Sequence, residues 1–468
     1  MASISNHEGS SKQVKNYFSK GDRISNLPDS LIVHILSFLP TKYAVQTSIL
    51  SSRWKHIWAS VPALDFDVNL RFFPVEISNS SKSYSNFMSF VDRVLFNHEL
   101  SCIQKFRLSC VGYKRIDLSR IYTWISIAIK RGVEELDIQI ESPQEHLDLP
   151  LSLFTCPTLV VLKLGKEVRF NVPCSAHFRS LKILHLSIEY LCDDLAQNHS
   201  AQNLFRNCPV LEDLFMEGIV PNNNEELVFD ISTPTMKRLG LKFTAEDFLE
   251  NGGTKIVVNA PTLEYLTLQD DCLPCFVLSN LTSLVKADFI DVGYYWMKSM
   301  QTRKHADRVL VNLREILRVK YLSLGASTMR VLDHADGGKP LLFPNLIRLE
   351  LFLYDRYDLG RVLDLLKGMP KLVHLVLDKF KRLPRKDFKF VEPEVVPCCL
   401  SMHLQKIEFS GFAGLGDELE LMAYFLRNAK VLRKMKIHSW NSQYKQERVF
   451  LQELAKFPRG STCQILFC

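Results

Sequence analysis

The sequence predicts a chain of the α/β class: a small helical unit at the N-terminus, a long solenoid of short parallel strands, and a closing α/β segment. Three observations carry this. A run between Asp22 and Trp58 packs three short amphipathic helical stretches into little space, the phrase apolar-x-x-apolar-x-apolar recurs thirteen times from Ile103 onward, and residues 396–468 alternate strand-like and helix-like patterns. At 468 residues, 47% hydrophobic and 23% charged, the chain is long enough for several domains and has the composition of a folded globular protein.

Residues 1–20 are polar, Ser/Lys-rich and without periodicity, which predicts disorder. Over 21–60, Leu31, Ile32, Ile35, Leu36 and Leu39 recur at helical spacing, Asp29 can cap their first turn, and Pro40 ends the run. Thr41 can cap a second helix through Ala44, Val45 and Ile49, and Ser51 a third that places Trp54, Ile57 and Trp58 on one face. About forty residues rarely make a sufficient core alone, so this unit needs a partner surface. The ordered residues Leu27-Pro28, Asp29, Leu31, Ile35-Leu36, Leu39-Pro40, Ala44-Val45, Leu50-Ser51, Arg53-Trp54 and Trp58 resemble an F-box of the plant type; Tyr43 and Ser52 depart from its usual pattern. The resemblance implies docking to the Skp-type adaptor of a cullin–RING ubiquitin ligase through Leu27, Pro28, Ile35, Leu36, Leu39, Leu50 and Trp54.

Residues 61–100 read as a connector, Ser/Asn-rich at Ser78–Ser85 and then helical through Phe87, Phe90, Val91, Val94 and Leu95. From 101 to 395 the repeat dominates. Its apolar triplets, from Ile103/Phe106/Leu108 through Leu266 and Leu349 to Leu432/Met435/Ile437, start 21 to 35 residues apart, and Pro often stands two residues before the first. This period resembles a leucine-rich repeat, in which each unit supplies one parallel strand and a return segment and only stacking buries the apolar face. Side chains alternate along a strand, so positions +3 and +5 face inward while +2, +4 and +6 line the concave surface. The Asn or Cys common at +8 is absent from all thirteen copies, and the long interval from Leu284 to Val319 predicts an inserted loop or helix around Tyr294–Arg314. Together these predict an irregular solenoid.

The last segment, 396–468, reads as β-α-β-α-β. Through Cys399-Leu400, Leu404, Ile407, Gly414, Tyr424, Leu426, Asn428-Ala429, Leu432, Met435, Phe457-Pro458-Arg459, Cys463-Gln464-Ile465 and Phe467 it resembles the FBD domain that closes many plant F-box proteins. Physically it would cap the open stack and hide its last apolar edge.

No constellation points to catalysis, and no cofactor or metal site is expected. Cys272-Leu273-Pro274-Cys275 has C-x-x-C spacing without a second pair or a redox context, and the twelve cysteines are scattered in apolar phrases such as those of Cys156, Cys208 and Cys463, which favours buried thiols. The net charge of +7 is not gathered into a basic face, and the densest basic run, Lys379–Lys389, is broken by Pro384 and Asp387 and reads as a solvated loop. Neither nucleic acid nor membrane is therefore expected as a partner. No apolar leader follows Met1 and no run could cross a bilayer, which places the expected site of action in the nucleus or cytoplasm.

On the concave face Lys286/Asp288, Arg348/Glu350 and Lys406/Glu408 read as a charge-laced solvated ladder. Arg238, Tyr265, Tyr321, Arg348 and His374 form the candidate substrate-binding patch, being residue types that anchor interfaces. The resemblance implies a non-catalytic substrate-recognition subunit of an SCF-type ligase, with cullin and RING subunits reached through the adaptor and an unidentified protein substrate. A non-ligase interaction scaffold and a small-ligand-dependent F-box receptor are the alternatives.

Overall fold

A computed structural model of the chain describes residues 24, 26–70, 80–112, 116–141, 145–190, 204–220, 227–245, 254–270, 276–290, 303–325, 328, 341–353, 356–379, 390–439 and 452–467. The stretch 1–20, the Cys272–Cys275 pair and residues 380–389 of the basic run lie outside these.

Helix α1 (Asp29–Leu36) and helix α2 (Thr41–Gln46) open the described chain. Pro28 and Pro40 occupy the N-cap positions, so Asp29 and Thr41 stand inside their helices rather than capping them. Both side chains work over longer range. Asp29 accepts from Arg53, and Thr41 Oγ1 accepts the backbone N–H of Asp65 at 2.7 Å. The third helix expected after Ser51 is a series of turns ending in a short 3-10 segment, Ile57–Ser60. The stop after Ser60 is local: Val61 precedes Pro62, which disfavours helical backbone, and is extended at φ −80° and ψ 119° to lead into the sheet.

One sheet of fifteen parallel strands organises the rest. In chain order these are β1 (Ala63–Asp67), β2 (Lys105–Cys110), β3 (Glu135–Ile140), β4 (Val161–Leu164), β5 (Ile183–Tyr190), β6 (Asp213–Val220), β7 (Arg238–Ala245), β8 (Tyr265–Asp270), β9 (Lys286–Ile290), β10 (Tyr321–Leu324), β11 (Arg348–Leu353), β12 (His374–Lys379), β13 (Lys406–Phe412), β14 (Lys434–Ser439) and β15 (Gln464–Phe467). Each of the thirteen sequence phrases is one strand, and each strand pairs with the next. Across the apolar triplets the register is constant: Leu64 faces Phe106, Phe106 faces Leu136, and so on to Met435 opposite Ile465, a continuous row of +3 residues with the +5 residues in step beside it. Both rows are buried from β1 to β14.

Two strands exceed the thirteen. β1 lies within the stretch read as a connector, where Val61-x-x-Leu64-x-Phe66 is the same phrase one repeat earlier, and β15 closes the far end. The C-terminal segment ends the solenoid as the last three strands of the same sheet.

Return segments cover the apolar side. Helix α3 (Ser80–Asn97) packs Phe87, Met88, Val91, Val94 and Leu95 inward, and helix α4 (Leu118–Lys130) packs Ile121, Trp124, Ile125 and Ala128. Gly132, at φ 67°, supplies the left-handed turn that stops α4 before β3. The middle repeats use a second sheet of three short parallel strands, Leu227–Ser232, Thr254–Asn259 and Phe276–Ser279. Helix α5 (Arg303–Glu315), which fills the described part of the long interval, tends this sheet's edge: buried Asn312 accepts from the Leu278 N–H at 3.2 Å and donates to the Phe276 carbonyl at 3.0 Å. Side-chain hydroxyls stitch the turns between repeats. Thr158, Thr235 and Ser461 each donate to a carbonyl one repeat back, at Val133, Leu211 and Leu432.

Contacts at two ends fix the flanking parts. His98 is buried; its Nε2–H donates to the Val61 carbonyl at 2.9 Å and its Nδ1 accepts from Arg131 at 3.2 Å, which requires one neutral tautomer and joins α3 and α4 to the exit of the helical unit. Helix α6 (Arg356–Lys367), helix α7 (Cys398–Met402) and helix α8 (Gly416–Asn428) cover the C-terminal repeats. Lys379, expected in a solvated loop, is instead buried at the end of β12 in an ion pair with Glu418 of α8, itself fully buried. The other Glu418 oxygen accepts the N–H groups of Ala413 and Leu415 at 2.9 and 3.1 Å, so one carboxylate fixes both the helix entry and its seat on the strand.

Removing one member of such a pair leaves a buried charge uncompensated. Glu418→Ala is expected to cost about 3–5 kcal/mol, seen as a lower denaturant midpoint, and Lys379→Met combined with Glu418→Leu to regain part of it. A double variant no more stable than the single one would count against the ion pair as the holding contact.

Candidate functional site

The helical unit has its own small core, formed by Ile32, Leu36, Ala44, Trp54, Ile57 and Val61. Trp58 touches both this cluster and the solenoid core. The seven sequence-predicted docking residues divide. Leu36 and Trp54 are buried packing residues, Leu27 is half-buried, and Pro28, Ile35, Leu39 and Leu50 are exposed. Leu31 and Phe38 extend the bare stripe along α1 and its following turn, and Ile49 lies exposed beside Leu50. These three were missed as surface residues, although Leu31, Ile35 and Phe38 carry the i, i+4, i+7 signal. Exposures of 75% at Phe38 and 85% at Ile49 are high for large apolar groups collected on so small a unit.

Arg53 braces the start of this face. Its guanidinium donates to Asp29 Oδ1 at 2.6 Å and to the Leu27 carbonyl at 2.5 Å, holding Leu27-Pro28 against the turn that carries Trp54. Both charges are largely exposed, so the pair orders the segment at a stabilisation of roughly 0–1 kcal/mol.

The second surface is the open face of the large sheet. Register aligns the five predicted residues Arg238, Tyr265, Tyr321, Arg348 and His374 in one row at position +2, and the same row contains Lys286, Lys406 and Lys434, giving Arg-Tyr-Lys-Tyr-Arg-His-Lys-Lys over eight successive strands from β7 to β14. Lys286 and Lys406 are already legible at +2 in the sequence as members of the charge-laced ladder, and the same count from the Leu432 triplet adds Lys434. In the six strands before it, the row reads Ala63, Lys105, Glu135, Val161, Ile183 and Asp213, without a common chemistry.

Four of the five cations of the row are partnered by carboxylates. Arg238 Nε donates to Asp213 at 2.7 Å, Lys286 lies 2.7 Å from Asp288, Arg348 Nη2 donates to Glu350 at 3.3 Å, and Lys406 pairs with Glu408. His374 Nδ1 accepts from Arg348 at 2.9 Å, leaving the proton on Nε2, which has no hydrogen-bond partner among the described residues and lies 3.6 Å from Glu408. Burial, followed by the neighbouring cations Arg348 and Lys406, lowers His374 to about 4, so the ring is neutral at pH 7 and the Glu408 contact is no ion pair there. Burial acts to raise Glu408, but the Lys406 hydrogen bond and the surrounding positive charge outweigh it and hold the carboxylate below its usual range. Asp378, on the same face, is raised by burial and by Glu350.

Among the described residues no three His, Cys, Asp or Glu side chains gather so as to hold a metal ion, and no helix is long and apolar enough to cross a membrane. Cys156, Cys208 and Cys463 are buried free thiols, as are Cys110 and Cys399; burial pushes Cys110, Cys208 and Cys399 up to about 12.

Comparison with known proteins bears on both surfaces. The F-box domain family matches residues 24–65, the LRR repeats of an FBD-associated F-box protein match 121–292, and the FBD family matches 392–437. The chain is similar to a putative F-box/FBD/LRR-repeat protein of Arabidopsis thaliana, 32% identical over 461 residues that span 97% of this chain and 99% of the relative. A second F-box/FBD/LRR-repeat protein of that plant is 31% identical over 95% of this chain and 96% of its own length, and an FBD-associated F-box protein is 31% identical over 97% and 96%.

His374 makes stability depend on pH. Between its ordinary value of 6.5 and about 4 the unfolded chain binds a proton that the folded one refuses, so stability falls as pH drops through that window. Glu408, depressed in the folded state, adds a loss in the same direction as pH falls below its ordinary 4.5. Chemical denaturation measured from pH 7 to 4 is expected to show this decline, with a shallower slope in His374→Asn; identical slopes would place the proton uptake elsewhere.

Proposed function

The chain belongs to the plant F-box/FBD/LRR-repeat family, and on that premise we propose that it is the substrate-recognition subunit of an SCF-type ubiquitin ligase. F-box proteins are typically non-catalytic adaptors. The N-terminal unit docks on a Skp-type adaptor, through which cullin and RING subunits are reached, and the solenoid with its FBD turns holds a protein substrate. Ubiquitin then passes from a conjugating enzyme held elsewhere in the assembly, and this chain contributes proximity. The action would take place in the cytoplasm or nucleus.

The observation that carries this reading is the division of apolar residues in the helical unit. Ile32, Leu36 and Trp54 satisfy its own core, while Leu31, Ile35, Phe38, Leu39, Ile49 and Leu50 stay in water although they would each gain by burial, roughly 1.5–3 kcal/mol for a fully covered side chain. A helical partner that covers them removes that cost. The Thr41–Asp65 and His98–Val61 hydrogen bonds support transmission of position, because they tie the docked unit to the first repeats.

Co-expression of the full chain with a Skp-type adaptor is expected to give one co-eluting complex. Ile35→Asp with Leu50→Asp should lower the affinity by at least roughly a hundredfold while leaving the melting temperature of the chain unchanged, since both side chains are exposed. Absence of a complex with well-folded parent protein, or a complex indifferent to both substitutions, would point to an interaction scaffold instead.

A further inference from the structure

We propose that the +2 row of the open face is a binding site for an extended acidic peptide segment, and that the ligase substrate is recognised through such a segment. The second half of this statement rests on the ligase reading above; the binding site does not.

The argument begins with depth. Arg238, Lys286, Arg348 and Lys406 keep 35–53% of their side chains exposed, whereas the carboxylates they bond, Asp213, Asp288, Glu350 and Glu408, keep only 10–27%. The longer cationic side chains reach past the shorter carboxylates that hold them. Here the anions form the floor and the cations the rim, so an approaching ligand meets N–H groups and phenol rings first. Neutralisation underneath does not exhaust the donors: a guanidinium carries five N–H groups and an ammonium three, and Arg348 spends one group on His374 and another on Glu350. The floor carboxylates also orient the cations, so less side-chain freedom is lost when a ligand carboxylate accepts a charge-assisted hydrogen bond from them.

Two rings supply the apolar component. Tyr265 and Tyr321 are 43% and 39% exposed and flank Lys286 in the row, two strands apart or about 10 Å. Seven strand-to-strand steps from β7 to β14 span about 34 Å, the length of about ten residues of extended chain. The fitting occupant is therefore a segment of about ten residues, rich in Asp or Glu and interrupted by apolar groups, lying across the strands.

Nucleic acid fits the same row less well. Phosphate backbones bind by releasing counterions from a field of unneutralised cations, and four cations of this row each have a carboxylate in hydrogen-bond or ion-pair contact. Individual hydrogen bonds to separate carboxylates do not require such a field.

The test uses the full chain with its Skp-type adaptor, or alone where no complex forms. Three fluorescein-labelled probes serve: a decapeptide alternating Glu and Ala, its Lys/Ala counterpart, and a twelve-nucleotide single-stranded RNA. Fluorescence anisotropy is expected to show the Glu peptide binding at least roughly tenfold more tightly than either other probe. Arg348→Glu with Lys406→Glu should weaken it by at least roughly tenfold, and so should Tyr265→Ala with Tyr321→Ala, each read in protein whose circular dichroism matches the parent. Lys163→Glu, a reversal on the same face before the row begins, should alter affinity by less than about twofold. Equal binding of the two peptides, or row variants that bind like the parent, would overturn the proposal, as would RNA as the tightest probe with loss in the same variants. A chain that selects the Glu peptide but forms no adaptor complex would sink the ligase reading and leave the site standing; a complex without peptide selectivity would do the reverse.

Discussion

Everything in this molecule depends on fifteen parallel strands sharing one register. No single strand of four to eight residues can cover its own apolar side chains, and the +3 and +5 rows are buried only because each has a like row on the neighbouring strand and a return segment above it. The same register that buries one side dictates the other. Once Leu349 is fixed opposite Leu322 and Leu375, Arg348 must stand between Tyr321 and His374, because side chains alternate across a strand. The open face is thus a consequence of core packing, and its chemistry is free to vary one row at a time.

A stack of this kind is vulnerable at its ends, and the polar contacts of highest consequence lie toward them. Near the start, Thr41 Oγ1 accepts a backbone N–H of β1, so the helical unit occupies part of what would be a bare sheet edge. Buried His98 binds the exit of that unit to two return helices. Toward the far end, the Lys379–Glu418 pair seats α8 on the sheet. Buried ion pairs of this sort add little net stability compared with apolar replacements, yet losing one member is costly, which makes them better at specifying one arrangement than at strengthening it.

The two functional surfaces differ in how they arise. The apolar face of the helical unit is surplus: its sequence carries more large apolar groups than a six-residue core can take, and the remainder stays exposed along α1 and around Ile49-Leu50. The row on the sheet is layered, with carboxylates below and cations above, and its neutral His374 accepts rather than donates to Arg348. Joined through β1 and through Trp58, which packs against both cores, the two surfaces are parts of one structure.

The sequence by itself determined the repeat and its inward positions, because a period of two along a strand leaves no choice once the apolar triplets are recognised; the thirteen phrases became thirteen strands, and the Val61/Leu64/Phe66 phrase that had been assigned to a connector became another. It also determined the F-box and FBD resemblances, which rest on ordered residues rather than on contacts. Tertiary structure alone decided which apolar residues of α1 are bare, since Leu31, Ile32, Ile35 and Leu36 wrap more than one side of a short helix and the cluster of Ala44, Trp54, Ile57 and Val61 selects the covered one. It decided that Asp29 and Thr41 serve distant partners instead of their own helix ends. It likewise buried Lys379 within a basic run and set cations over carboxylates on the sheet, because depth depends on what packs around a side chain and leaves no trace in the order of residues.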